Sequence, residues 1–246
     1  MEVEARWTGF LGKIRTRFDE IRAETEQGCI ALLAQCDDDP GPMTTAWTAM
    51  DQRMLGLQTK LSTTWEDKVG PLCEDAAQER RLERMGDELS AHMERQRERL
   101  RVDVYAQAAR RIWARARQEQ VGQIQCPQCG APVEVPQTFQ SINLPCSYCD
   151  GLVTFEPGGR IRAVQVHCVH PLAEDAAWSE WELRDDARQA LNSARGEPAH
   201  LVKALELAEI AYWRAYLAAR AQMVPALAEK LEADLEGKMR AFYLYR

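Results

Sequence analysis

Histidine is scarce in this chain, four in 246 residues, which leaves little material for acid–base catalysis. There is no G-x-S-x-G elbow, no Walker-type glycine-rich loop and no G-x-G-x-x-G after a strand. These absences argue against an enzyme. No apolar run reaches 18 residues, and Met1-Glu-Val-Glu-Ala-Arg-Trp7 has no leader pattern, so the sequence predicts a cytoplasmic chain with no membrane partner. Lysine is rare as well, six against 25 arginines. The net charge of −7 and pI near 5.3 argue against nonspecific attachment to nucleic acid or anionic membrane. With 46% hydrophobic and 28% charged residues and no strong Pro, Gly or Ser bias, the composition is that of a globular protein.

What the chain does have is cysteine, eight in all, at 29, 36, 73, 126, 129, 146, 149 and 168. Four form Cys126-x2-Cys129 and Cys146-x2-Cys149, with sixteen residues between the pairs. Each C-x-x-C turn aims two thiolates at one point, and the spacer is long enough for a hairpin to bring the second pair opposite the first. That is the donor set of a closed tetrahedral zinc site. Pro127 stiffens the first turn; Gly130 and Gly151 follow the two pairs, where positive φ is usually needed. Four thiolates around one divalent ion leave no open position and a net charge of about −2, which points to a structural role.

The segment Cys-Pro-Gln-Cys-Gly … Cys-Ser-Tyr-Cys-Asp-Gly resembles the zinc-ribbon family over residues 124–167. The resemblance implies one zinc ion held between two knuckles of a small β-hairpin module, with Cys126, Cys129, Cys146 and Cys149 as ligands. It implies no particular activity, because ribbons occur in transcription factors, ribosomal proteins, enzymes and adaptors.

The remaining cysteines read as packing residues: Cys29 and Cys36 sit on the apolar side of a helix. Cys168 lies in His167-Cys168-Val169-His170, which on a strand would alternate between faces and so not converge on a second metal.

Around the ribbon the chain is helical. The first seam runs Val3, Trp7, Phe10, Ile14, Phe18, Ile21, Thr25, Cys29, Leu32, Cys36, a mean step of 3.67. Asp37-Asp38-Asp39-Pro40-Gly41-Pro42 stops it. The second seam, Met43, Trp47, Met50, Met54, Leu57, Leu61, Trp65, Val69, ends at Gly70-Pro71. The third begins near Leu72 and runs through Leu82, Met85, Leu89, Met93, Leu100, Val104, Ala108 and Ile112 to Gln120, about 70 Å at 1.5 Å per residue. Short connections imply antiparallel neighbours. Beyond the knuckles, Gly151–Glu156 and Arg160–His167 read as a further hairpin around Pro157-Gly158-Gly159. A helix is expected over 172–195, then a long one broken at Pro225.

The expected fold is mainly α: a long-helix antiparallel bundle with an inserted small β zinc ribbon. Its parts are a three-helix bundle over 1–120, the ribbon over 121–169, and C-terminal helices over 170–246 that pack on the bundle. The expected function is a non-enzymatic protein–protein interaction scaffold or adaptor, with the tip residues Phe139 and Tyr148 suited to a protein surface. Residues 80–117 hold eleven arginines against six acids, but Arg95, Arg97, Arg99 and Arg101 step by two and spread around the helix. Nucleic acid is therefore the less favoured partner. The alternative is a transcription-associated or nucleic-acid-binding regulator. A coiled coil with an acidic tip at Asp37–Asp39 and a four-cysteine module resembles the factors that enter the RNA polymerase secondary channel. This chain is longer than those factors and follows its ribbon with more helix.

Overall fold

The computed structural model describes residues 2–245. It is mainly helical, with two small two-stranded antiparallel sheets, the fold class expected from the sequence. The chain forms two compact units, Met1–Val104 and Tyr105–Arg246, and the division falls inside the third helix.

The first unit holds α1 (Glu2–Gln35), α2 (Pro40–Thr64) and the first part of α3 (Ala76–Gln118). Helix α1 buries Trp7, Leu11, Ile14, Phe18, Ile21, Thr25, Cys29 and Leu33. From Trp7 to Thr25 the steps alternate four and three, a 3.5-residue period, and then lengthen to four. The expected seam averaged over this change, and so it took Phe10 for Leu11 and Leu32 for Leu33; Phe10 and Leu32 are only half-buried. In α2 the buried residues are Met43, Trp47, Met54 and Leu61. In α3 they include Leu82, Gly86, Leu89, Met93, Leu100 and Val104.

The turn between α1 and α2 explains three consecutive aspartates. Asp37 (φ 57°) and Asp38 (φ 63°) adopt the left-handed conformation that Asp tolerates better than most residues. The Asp38 N–H donates to Leu33 O at 2.9 Å. Asp39 caps α2, its Oδ1 accepting from Gly41 N–H at 2.9 Å ahead of Pro40 in the first turn. Helix α2 ends in a π turn (Trp65–Val69) and a short 3-10 turn (Gly70–Leu72), which places the stop at Gly70-Pro71 as expected. Helix α3 then starts four residues later than expected, because Asp75 caps it: Oδ1 accepts from the Ala77 and Gln78 N–H groups, each at 2.8 Å. At 43 residues α3 is about 64 Å long.

The second unit opens with the end of α3, followed by β1 (Gln123–Gln125), β2 (Pro132–Glu134), β3 (Ile142–Pro145) and β4 (Leu152–Phe155). Strand β1 pairs antiparallel with β2, Ile124 opposite Val133; β3 pairs with β4, Leu144 opposite Val153. The further hairpin is not formed. Residues Gly159–His167 are a helix, α4. Ile161, Val164 and Cys168 are buried at i, i+3 and i+7, a helical face that the β-branched residues disguise as strand alternation. Strand β4 already has β3 as its partner.

The expected helix over 172–195 is two helices, α5 (Val169–Ala176) and α6 (Trp178–Ser193), divided at Ala177 (φ −100°, ψ 14°). Helix α7 (Ala199–Met223) is followed by a 3-10 segment (Pro225–Lys230) and α8 (Leu231–Tyr245), the interruption expected at Pro225. Ala173, Ala177, Tyr212, Tyr216, Leu217, Leu235 and Met239 make the core of these helices.

Candidate metal centre

Each hairpin carries one C-x-x-C turn at its end. In the first, Cys126 N–H donates to Ala131 O (2.8 Å) and Gly130 N–H to Cys126 O (2.9 Å). In the second, Cys146 N–H donates to Gly151 O (2.8 Å) and Asp150 N–H to Cys146 O (2.9 Å). The two turns are the same structure built twice, and both need one left-handed residue: Gly130 (φ 73°) and Asp150 (φ 58°).

Gly151 therefore does not supply the positive φ expected of it. Its reason is close approach: a Cβ there would lie 2.3 Å from Gln128 Oε1 and 3.3 Å from Cys149 Sγ. Gln128, on the opposite knuckle, has its Oε1 3.7 Å from Cys149 Sγ. That cross-knuckle contact has no signature in the spacing of the cysteines, and sequence reasoning missed it.

The four sulfurs of Cys126, Cys129, Cys146 and Cys149 all lie within 4.8 Å of one another, and this is the only such cluster of three or more potential ligands among the described residues. Cys126–Cys149 and Cys129–Cys146 are each 3.7 Å apart. For sulfurs about 2.3 Å from a central ion, tetrahedral geometry requires an edge of about 3.8 Å. The donor set thus fits one metal ion with soft, tetrahedral preference. All eight cysteines are free of disulfides.

Electrostatics give the same answer. The Cys129 and Gln128 backbone N–H groups lower the Cys126 thiol to about 7, the preorganisation expected of a thiolate ligand. At Cys149 the Gly151 N–H pulls the other way, but the Cys129 thiol, burial and the other two thiols push it up to about 12. The first thiolate to form hinders ionisation of its neighbours. A bound cation removes that conflict.

Cys126 and Cys146 are buried at the hairpin junction with Val133 and Val153, whereas Cys129 and Cys149 are exposed. Tyr148, between the second pair, is 83% exposed and Leu152 is 72% exposed. Phe139 is not at the tip. It is half-buried, its ring 5.5 Å from that of Trp113 of α3 in an edge-to-face pair, so it docks the base of the ribbon. Arg160 of α4 also reaches Glu119, just past α3, at 3.1 Å.

His167, Cys168 and His170 form no ligand set. Cys168 is fully buried between α4 and α5, its thiol pushed up to about 12 by that burial. His170 Nδ1 is bonded instead to Tyr216 Oη at 2.6 Å, with its Nε2 3.4 Å from Glu174. Cys29 is buried, and Cys36 is half-buried beyond the end of α1.

No family model matches the chain, and neither a curated protein nor a solved structure matches it.

Proposed function

We propose that this protein is a non-enzymatic interaction scaffold whose helices carry a zinc ribbon, with one structural zinc ion held by Cys126, Cys129, Cys146 and Cys149. The observation that carries the reading is the four-sulfur cluster, two of whose edges match a closed tetrahedral shell. A complete set of four protein ligands leaves no position for substrate or activated water. Sulfur donors in this geometry select zinc or iron over magnesium or calcium. The resemblance of the knuckles to zinc ribbons favours zinc of the two.

The interaction half of the proposal rests on the tip. Tyr148 and Leu152 present apolar area beside a metal-fixed turn, where little conformational entropy remains to be lost on docking. At least four of the eleven arginines of 80–117 pair with acids of the protein itself: Arg97 with Asp51 at 2.9 Å, Arg99 with Asp103, Arg101 with Glu98, and Arg110 with Asp175. This supports a protein partner over nucleic acid.

Elemental analysis of gently purified protein tests the metal, with one zinc per chain expected. A photo-crosslinking residue at position 148, introduced into the intact chain in its native cells, tests the function. A discrete protein adduct that disappears on Leu152→Asp supports the scaffold. An adduct to nucleic acid instead would move the reading to the transcription-associated alternative.

A further inference from the structure

A cleft of about 810 Å3 opens in the second unit among α6, α7 and α8. Leu205, Trp213 and Phe242 give it an apolar lining, and Arg184, Arg188 and Lys238 give it three cations. Two acids face these, Glu209 and, in the loop after α6, Glu197.

Glu209 is buried and shared. Its Oε1 accepts from Arg188 Nη2 at 2.6 Å, and its Oε2 lies 3.7 Å from Arg184 Nη1. One carboxylate between two guanidiniums leaves this trio net positive, with Arg184 and Glu209 mostly buried, Arg188 half-exposed and Asp185 a further acid acting on Arg184. Lys238 adds a further cation, its Nζ resting 4.4 Å from the centre of the Trp213 ring, an aromatic face and not a carboxylate.

Arg184 is the informative residue. Its guanidinium lies 4.0 Å over the Tyr212 ring, and its Nε is buried with no hydrogen-bond partner. The 3.7 Å approach to Glu209 is an ion pair too long for a hydrogen bond. The fold therefore holds a mostly buried guanidinium that its own carboxylate under-satisfies. Cavities with apolar walls and a few convergent charges are the usual form of small-molecule sites.

We propose that this cleft binds a small organic oxyanion. Its phosphate or carboxylate group is held by Arg188 and Lys238 with Arg184 behind them, and its apolar body rests against Leu205 and Phe242. Guanidinium groups match the oxygen geometry of either anion. The site is independent of the zinc centre and of the scaffold reading.

Calorimetric titration of the full chain at low salt tests this, with phenyl phosphate and benzoate as probes of the two anion types. Benzyl alcohol is the neutral control. Saturable binding of at least one oxyanion at one site per chain is expected, the tighter of the two assigning the anion, with no binding of benzyl alcohol. Lys238→Gln alters an exposed side chain and leaves both guanidiniums paired with Glu209, whereas Arg188→Gln also removes the 2.6 Å bond to that buried carboxylate. Each is expected to weaken binding by about fivefold or more, Lys238→Gln with an unchanged melting temperature and Arg188→Gln with a lowered one. Absence of saturable binding by both oxyanions overturns the proposal. So does equal binding of benzyl alcohol, or unaltered affinity in a Lys238→Gln variant that melts like the parent.

Discussion

Trp7 and Gly86 are matched in shape across the first unit: a Cβ on Gly86 would lie 3.0 Å from Trp7 Cζ2. The indole has little room to yield. Its Nε1–H donates to Leu82 O at 2.9 Å, and its ring packs against Phe10 and Trp65 with centroids 5.5 and 5.7 Å away. Alanine in place of helical glycine would ordinarily gain up to about 1 kcal/mol, but forcing a methyl into a filled site costs about 1–3 kcal/mol. Gly86→Ala is expected to lose about 1 kcal/mol net in denaturant unfolding, and Gly86→Val more. The combination Gly86→Ala with Trp7→Phe should be less destabilised than the sum of its parts. Strict additivity would show that the two residues do not compete for the same space.

At the knuckles, three substitutions separate backbone conformation from close approach. Gly130→Ala places a side chain at φ 73° and should cost about 1–2 kcal/mol of ribbon stability. Asp150→Gly relaxes the equivalent left-handed residue and should be neutral or stabilising. Gly151→Ala collides with Gln128, so Gln128→Ala should restore much of its lost metal affinity in a chelator competition. Without that rescue, the collision would not be the reason for glycine at 151.

Metal removal should act locally. The hairpins bury only a small cluster, chiefly Cys126, Val133, Cys146 and Val153, too little to hold short two-stranded sheets without the ion. Chelation, or Cys126→Ser with Cys149→Ser, is expected to abolish dispersed amide signals from 123–155 while leaving helical circular dichroism largely intact. Loss of most helicity would mean that the helices depend on the centre.

The start of α3 carries a pH-dependent term. The Gln78 and then the Ala77 N–H groups hold Asp75 below its ordinary value of 3.8. Because the folded form favours the carboxylate, this stability is fully present above the unfolded value and disappears as pH falls through the lower folded one. The melting-temperature difference between the parent and Asp75→Ala should therefore be constant at neutral pH and shrink in acid. A difference that persists at the acid extreme would assign the effect to packing instead of the charged cap.

Much of the site was readable from residue spacing, and parts of the fold were not. Two C-x-x-C pairs sixteen residues apart specify which sulfurs converge, because each turn fixes two of them through its own backbone hydrogen bonds. Pro225 and Gly70-Pro71 marked real interruptions, since a missing N–H and a fixed φ act wherever they stand. The segment 160–167 misled because Ile, Val and Val at 161, 164 and 166 suit either period. Only the pairing of β4 with β3 and the burial of Ile161 and Val164 decided for helix. The Ala177 break has no Gly or Pro to announce it.

The sequence alone determined the helix stops at Pro and Asp and the identity of the four sulfur donors, since each depends on a few neighbouring residues. Tertiary structure decided which side chain faces which. Leu11 in place of Phe10, Phe139 against Trp113, Gln128 over Gly151, and the meeting of Arg184 and Arg188 at one buried Glu209 all depend on distant segments meeting. Such meetings follow from how volumes fill a shared interior, and no local pattern encodes that.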